Sequence, residues 1–137
     1  MRVVADTNTV ISGLLWHGAP RKVLDLARTG QITLYTSPAL LAELRDVLGR
    51  EKFAKRLQAA GMSVRYLSLR YASLAHVVRP KPIRPVILND PDDDIVLACA
   101  LAANAEVIVS GDSHLLNLKN HQDIAIITAN DLLERSK

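Results

Sequence analysis

Cysteine is almost absent: Cys99 stands alone in a chain of 137 residues. An internal disulfide is therefore impossible, and a cysteine-built zinc site has no ligands to build on. Aromatic residues make up 4% of the chain, too few for base stacking to be its main way of holding a nucleic acid. Long hydrophobic runs are missing as well. The longest, Ile95 to Ala103, is about half of what a membrane-spanning helix needs. The N-terminal apolar run stops at Asp6 and leaves no signal-peptide core. These absences predict a cytoplasmic protein with no membrane partner.

What is present is ordinary in amount and uneven in placement. Hydrophobic residues make up 49% and charged residues 23%, which excludes a disordered chain. The length suits a single domain over residues 1–137. A chain of this size buries about two-thirds of its extended surface on folding. Lys and Arg total 17 against 14 Asp and Glu, a net charge of +3, which leans mildly towards polyanionic partners. Yet four of the acids fall between Asp90 and Asp94. A tight acidic knot in a basic chain suggests a cation site within a surface that attracts anions.

Periodicity places the elements. Arg2-Val3-Val4-Ala5 reads as a buried parallel strand ended by Asp6. Val10 to Trp16 reads as helical, and Pro20 suits the first position of a helix that stops at Gly30. Ile32 to Thr36 alternates as a strand. Ser37-Pro38 then pairs an N-cap with a first-turn proline for a helix to about Leu48. Residues 50–75 read as mostly helical with a break at Gly61, and His76 to Val78 as a short strand. Arg79 to Pro85 holds three prolines and reads as an extended basic connection, with Val86 to Leu88 finishing it. From Asp94 to about Asn104 the chain is apolar on every side, which predicts a helix buried all round. Glu106 to Ser110 and Ile124 to Ile127 read as strands, Ser113 to Leu118 and Ala129 to Arg135 as helices. Strands alternating with helices predict an α/β class: a mainly parallel sheet in a three-layer α/β/α domain.

In such a sheet, sites form outside the carboxyl ends of the strands. Asp6 ends the first strand, and Asp112 lies two residues past Ser110, so both open onto one edge. Glu43 sits at the border of the leucine stripe of its helix, and Asp94 begins the apolar helix. Each has a plain structural use. Asp6 and Asp112 suit helix caps, Glu43 a solvated helix face, and the Asp92–Asp94 run a helix start. Their convergence is another matter. Two carboxylates about 5 Å apart repel by about 3 kcal/mol at an effective dielectric of 20. A divalent cation removes that repulsion, and an all-oxygen site suits Mg²⁺ or Mn²⁺.

Ala5-Asp6-Thr7-Asn8, Glu43, Asp94-Ile95-Val96-Leu97-Ala98-Cys99-Ala100 and Val109-Ser110-Gly111-Asp112 resemble, in order, the four acidic motifs of PIN-domain ribonucleases. The likeness spans nearly the whole chain and is nearest to the toxins of bacterial toxin–antitoxin pairs. It implies a PIN-like domain with a five-stranded sheet, Mg²⁺- or Mn²⁺-dependent cleavage of RNA, homodimers and a cognate antitoxin protein. It also implies that Asp6, Asp94 and Asp112 are metal ligands and that Glu43 ligates metal or orients the attacking water. Asp92 or Asp93 shares the role of Asp94 if the register shifts, and Thr7, Asn8 and Ser110 become polar contacts to the substrate.

Two other functions fit parts of the chain. A catalytically silent RNA-binding module would keep the basic residues without needing all four acids. Asp6-Thr7-Asn8-Thr9 also loosely resembles the start of haloacid dehalogenase-type phosphotransferases, although Asn8 stands where that chemistry wants a second acid. The basic residues Arg50, Lys52, Lys55, Arg56, Arg65 and Arg70, with Arg79, Lys81 and Arg84, either track an RNA backbone or face solvent. His17, His76, His114 and His121 show no ligand spacing; His114 alone lies near a motif. Cys99 reads as a small core residue. Trp16 reads as core, or as a contact to a second copy or an antitoxin.

Overall fold

The computed structural model describes residues 1–82 and 91–136, except the side chains of 91 and 92. The extended piece expected at Val86 to Leu88, the end of the proline-rich connection, Arg84 and the Asp92 side chain lie outside it.

The chain begins with β1 (Arg2–Ala5), whose valines alternate across the sheet. Val3 and Ala5 pack on one side and Val4 on the other, as the two-residue period of a strand dictates. Asp6 ends β1 and caps α1 (Thr7–Leu15), its carboxylate accepting the Thr9 amide at 2.8 Å. The helix thus starts three residues before the apolar run, because the cap decides the start. Next come α2 (Ala19–Arg28), β2 (Thr33–Thr36) and α3 (Pro38–Leu48). Ser37 caps α3 as expected, accepting the Leu40 amide with Pro38 in the first turn.

The basic stretch forms α4 (Glu51–Ala60) and α5 (Val64–Leu74). Gly61 ends α4 in the left-handed region at φ 65°, which glycine enters without steric cost. The short β3 (His76–Val77) follows, then α6 (Pro91–Ala102) and β4 (Val107–Val109). The chain closes with α7 (Ser113–Leu116), β5 (Asn120–His121), β6 (Ile124–Ile127) and α8 (Ala129–Arg135).

Among the described residues the strands form one sheet in the order β3-β2-β1-β4-β6-β5. Five run parallel, as expected. The sixth, β5, pairs antiparallel with β6. Its turn places Gln122 and Asp123 at φ 47° and 68°, a backbone normally marked by Asn or Gly. That unusual turn chemistry hid the hairpin in the sequence.

Helices cover both faces. On one, α1, α2, α3, α5 and α8 pack over Val3, Ala5, Leu34, Val107 and Val109. On the other, α6 and α7 pack over Val4, Ile108, Ile124 and Ile126. The three-layer α/β/α arrangement is therefore present. Strand order reverses between β1 and β4, which makes their carboxyl ends the crevice where this architecture builds sites. None of the described helices is long and apolar enough to cross a membrane.

Candidate metal centre and its surroundings

Asp6 and Ser110 occupy the switch point. Both are almost fully buried, at 5% and 1% exposure. The Ser110 hydroxyl donates to Asp6 Oδ2 and accepts the Asp112 backbone N–H at 2.9 Å. One hydroxyl thus ties the end of β1 to the loop after β4. Asp112 in turn caps α7, its Oδ1 accepting the His114 amide at 2.7 Å. The His114 ring stands over the same carboxylate, with Nδ1 3.8 Å from Oδ1.

The third acid comes from α6, and the register matters. This helix starts at Pro91, three residues earlier than the apolar pattern suggested, because proline is preorganised for a first helical turn. Asp93 then lies on the stripe that continues through Leu97 and Ala100, both fully buried. It points inward and is 7% exposed. Asp94, about 100° further round, shares its side with the half-buried Ala98 and Leu101.

A cavity of about 430 Å³ brings the acids together. Its walls include Thr7, Asn8, Glu43, Asp93 and Asp112, with Asp46 and Arg50 at the rim. Asp94 is not among its lining residues. Asp6 is not among them either; it is joined to the Asp112 loop through Ser110. Arg50 reaches Asp46 at 3.5 Å, so the cavity mouth carries one guanidinium beside several carboxylates.

Asp93, Asp112 and His114 each offer a ligand atom, all within 4.8 Å of one another. Two carboxylates and an imidazole fit a hard to borderline divalent cation. Asp6 has used one acceptor position on each oxygen, for Thr9 and Ser110, and an ionised carboxylate has about four. It can therefore still contribute. Buried and bonded at both oxygens, however, it is poorly placed as the exposed nucleophile that aspartyl phosphotransfer would need.

The expected substrate contacts divide. Asn8 is exposed between this cavity and a second one, and Thr7 is buried in the acidic wall. Ser110 spends its hydroxyl on Asp6 and Asp112. Of the basic run, Arg56 donates to the Leu15 carbonyl and covers the Trp16 ring, Lys52 lies over Phe53 and Arg70 over Tyr66. These cations serve packing. Trp16 is 42% exposed and rests on Phe53 with ring centres 6.2 Å apart. Pattern reading undervalued His114, since its relation to Asp93 exists only in space. It missed Thr128 and Asn130, although both follow β6 at the same sheet edge.

An open α/β sheet with a carboxylate-lined cavity at its switch point defines a class: α/β domains with an acidic site at the carboxyl edge of a mainly parallel sheet. The PIN domain family's profile matches residues 2–114. The chain belongs to that family, whose members are usually nucleases and typically use a divalent metal. It is 31% identical over 121 residues to the uncharacterized protein MJ1680 of Methanocaldococcus jannaschii, covering 88% of this chain and 76% of that one. In fold it resembles a chain in the crystal structure of VapBC2 from Rickettsia felis, bound to a DNA fragment from their promoter. The TM-score is 0.58 at 16% identity, covering 92% of this chain and 97% of that chain.

Proposed function

We propose that this protein is a Mg²⁺- or Mn²⁺-dependent endoribonuclease, the toxin of a toxin–antitoxin pair. The observation that carries the proposal is the convergence of Glu43, Asp93 and Asp112 in one cavity. Asp93, Asp112 and His114 would hold the ion, with Asp6 behind them and Glu43 opposite. A bound divalent ion would neutralise these acids and the substrate phosphate, and would activate water for attack on phosphorus. The chain's own groups do the rest. Glu43 accepts a proton from the attacking water and orients it. Arg50 draws a phosphate to the cavity mouth, and Asn8 offers an amide donor at the junction. Ser110 holds Asp6 and the Asp112 loop in fixed relation. His114 tilts the donor set from Mg²⁺ towards Mn²⁺, because imidazole suits a softer ion.

The antitoxin partner rests on likeness to the VapBC2 assembly and to the toxin motifs; a homodimer and the choice of RNA rest on the motifs alone. The test pairs two neighbouring residues. Asp93→Asn should lower Mn²⁺ affinity by calorimetry at least tenfold and abolish hydrolysis of single-stranded RNA, with the circular dichroism spectrum unchanged. Asp94→Asn should retain most of both. The reverse ranking would move the ligand role to Asp94. Full hydrolysis by both folded variants would remove the metal centre from the mechanism.

A further inference from the structure

A second cavity, also about 430 Å³, adjoins the acidic one and shares Asn8 and Asp112 with it. Its other walls come from α1, the start of α2, the loop after β4 and the start of α8. Apart from Asp112 on the shared edge, no lining residue is ionisable. Thr9, Ser12 and Thr128 contribute hydroxyls, and Ala19, Pro20 and Ala129 small apolar surfaces. None of these side chains carries a positive charge to pair with a phosphate.

Asn8, from α1, and Asn130, from α8, both line the cavity, and both are exposed. Among the described residues neither side-chain amide is bonded to another protein group. Each therefore presents a donor and an acceptor about 120° apart in one plane. That fork is what side-chain amides use to read the edge of a base. At Gly111, on the rim, an added Cβ would meet nothing within 4 Å, so this side of the cavity is open. No aromatic ring lines the cavity, so selection there runs through hydrogen bonds rather than stacking.

We propose that this cavity is a base-recognition subsite, taking the nucleobase next to the phosphodiester held over the acids. The inference rests on the nuclease reading for what lies next door. The geometry favours a base because, Asp112 apart, the pocket is uncharged, and it is amide-edged and continuous with the cavity that gathers Glu43, Asp93 and Asp112. Asn130 is then a specificity-determining residue that never touches the reacting phosphorus.

The experiment measures equilibrium binding of fluorescein-labelled hexaribonucleotides of A, C, G and U. EDTA is present, so that no turnover occurs and the remaining acid–phosphate repulsion is the same for all four. Wild type should separate its preferred sequence from its poorest by about fivefold or more, the least that one bidentate contact gives. Asn130→Ala should erase that ranking, and Asn130→Asp, which keeps the shape but loses the donors, should reorder it. Arg50→Ala should weaken all four in parallel. Equal or undetectable binding by wild type, or an unchanged ranking in folded Asn130→Ala, overturns the proposal. Manganese-dependent hydrolysis of the same oligomers is scored separately. Intact discrimination without hydrolysis would overturn the nuclease reading and leave the base subsite standing.

Discussion

Ser110 shows how much of the centre hangs on one hydroxyl. Removing it leaves Asp6 Oδ2 buried without its donor and unties the Asp112 loop. Ser110→Ala is therefore expected to destabilise the fold by about 1–3 kcal/mol, the usual cost of leaving a buried acceptor without its donor. Urea denaturation checks that figure, and calorimetry should show weaker Mn²⁺ binding. At this scale the sequence was informative about residue type and only partly about role. Asp6 and Asp112 stand at the ends of strands whose like ends a parallel sheet must bring together, so their meeting was legible. Glu43 was legible as a border residue of its helix. The inward turn of Asp93 rather than Asp94 was not, because an apolar helix has no polar side to show which acid turns inward. Packing of Leu97 and Ala100 on the sheet sets that turn.

Between elements, Gly13 carries the closest approach. It lies in α1 where α2 crosses, and an added Cβ would sit 2.8 Å from Leu24 Cδ1 and 2.9 Å from the Pro20 carbonyl. Arg21 also donates to the Gly13 carbonyl at 3.0 Å. Alanine favours a helix by about 1 kcal/mol over glycine, while overpacking costs about 1–3 kcal/mol. Gly13→Ala is thus expected to destabilise by up to about 2 kcal/mol despite its better helix propensity. A thermal scan showing an equal or higher Tm would mean that α2 yields at no cost. The purpose of this glycine appears only with Leu24 beside it. Most helices were legible from caps and stripes. The hairpin of β5 was not, since Gln122-Asp123 lacks the usual turn residues and β5 has only two residues.

For the molecule as a whole, two protonated groups in the core set an alkaline limit. Burial pushes the Cys99 thiol up from 9.0 to about 12, against a smaller downward pull from a hydrogen bond with Ser37. Burial also raises the Tyr71 phenol well above its usual range, helped by the charges of Cys99 and Asp6. Below pH 9 both folded and unfolded thiols are protonated, and Cys99 adds no pH dependence. Between about 9 and 12 the unfolded chain releases a proton that the folded one retains, so stability falls as pH rises. Urea midpoints should drop from pH 8 to pH 10.5, and Cys99→Ala should reduce the drop. The native thiol should also resist aromatic disulfide reagents until the protein unfolds. The same core explains the division between pattern and fold. Strand and helix periods, capping residues and the acids at strand ends follow from local chemistry, so the α/β class, the parallel order and the edge that bears the site were present in the linear chain. The inward turn of Asp93, the approach of His114 to it, the tying of Asp6 to Asp112 and the amide-edged cavity beside them came only with the tertiary structure. Each depends on which side of an element is pressed against its neighbour, and the close packing of distant residues decides that.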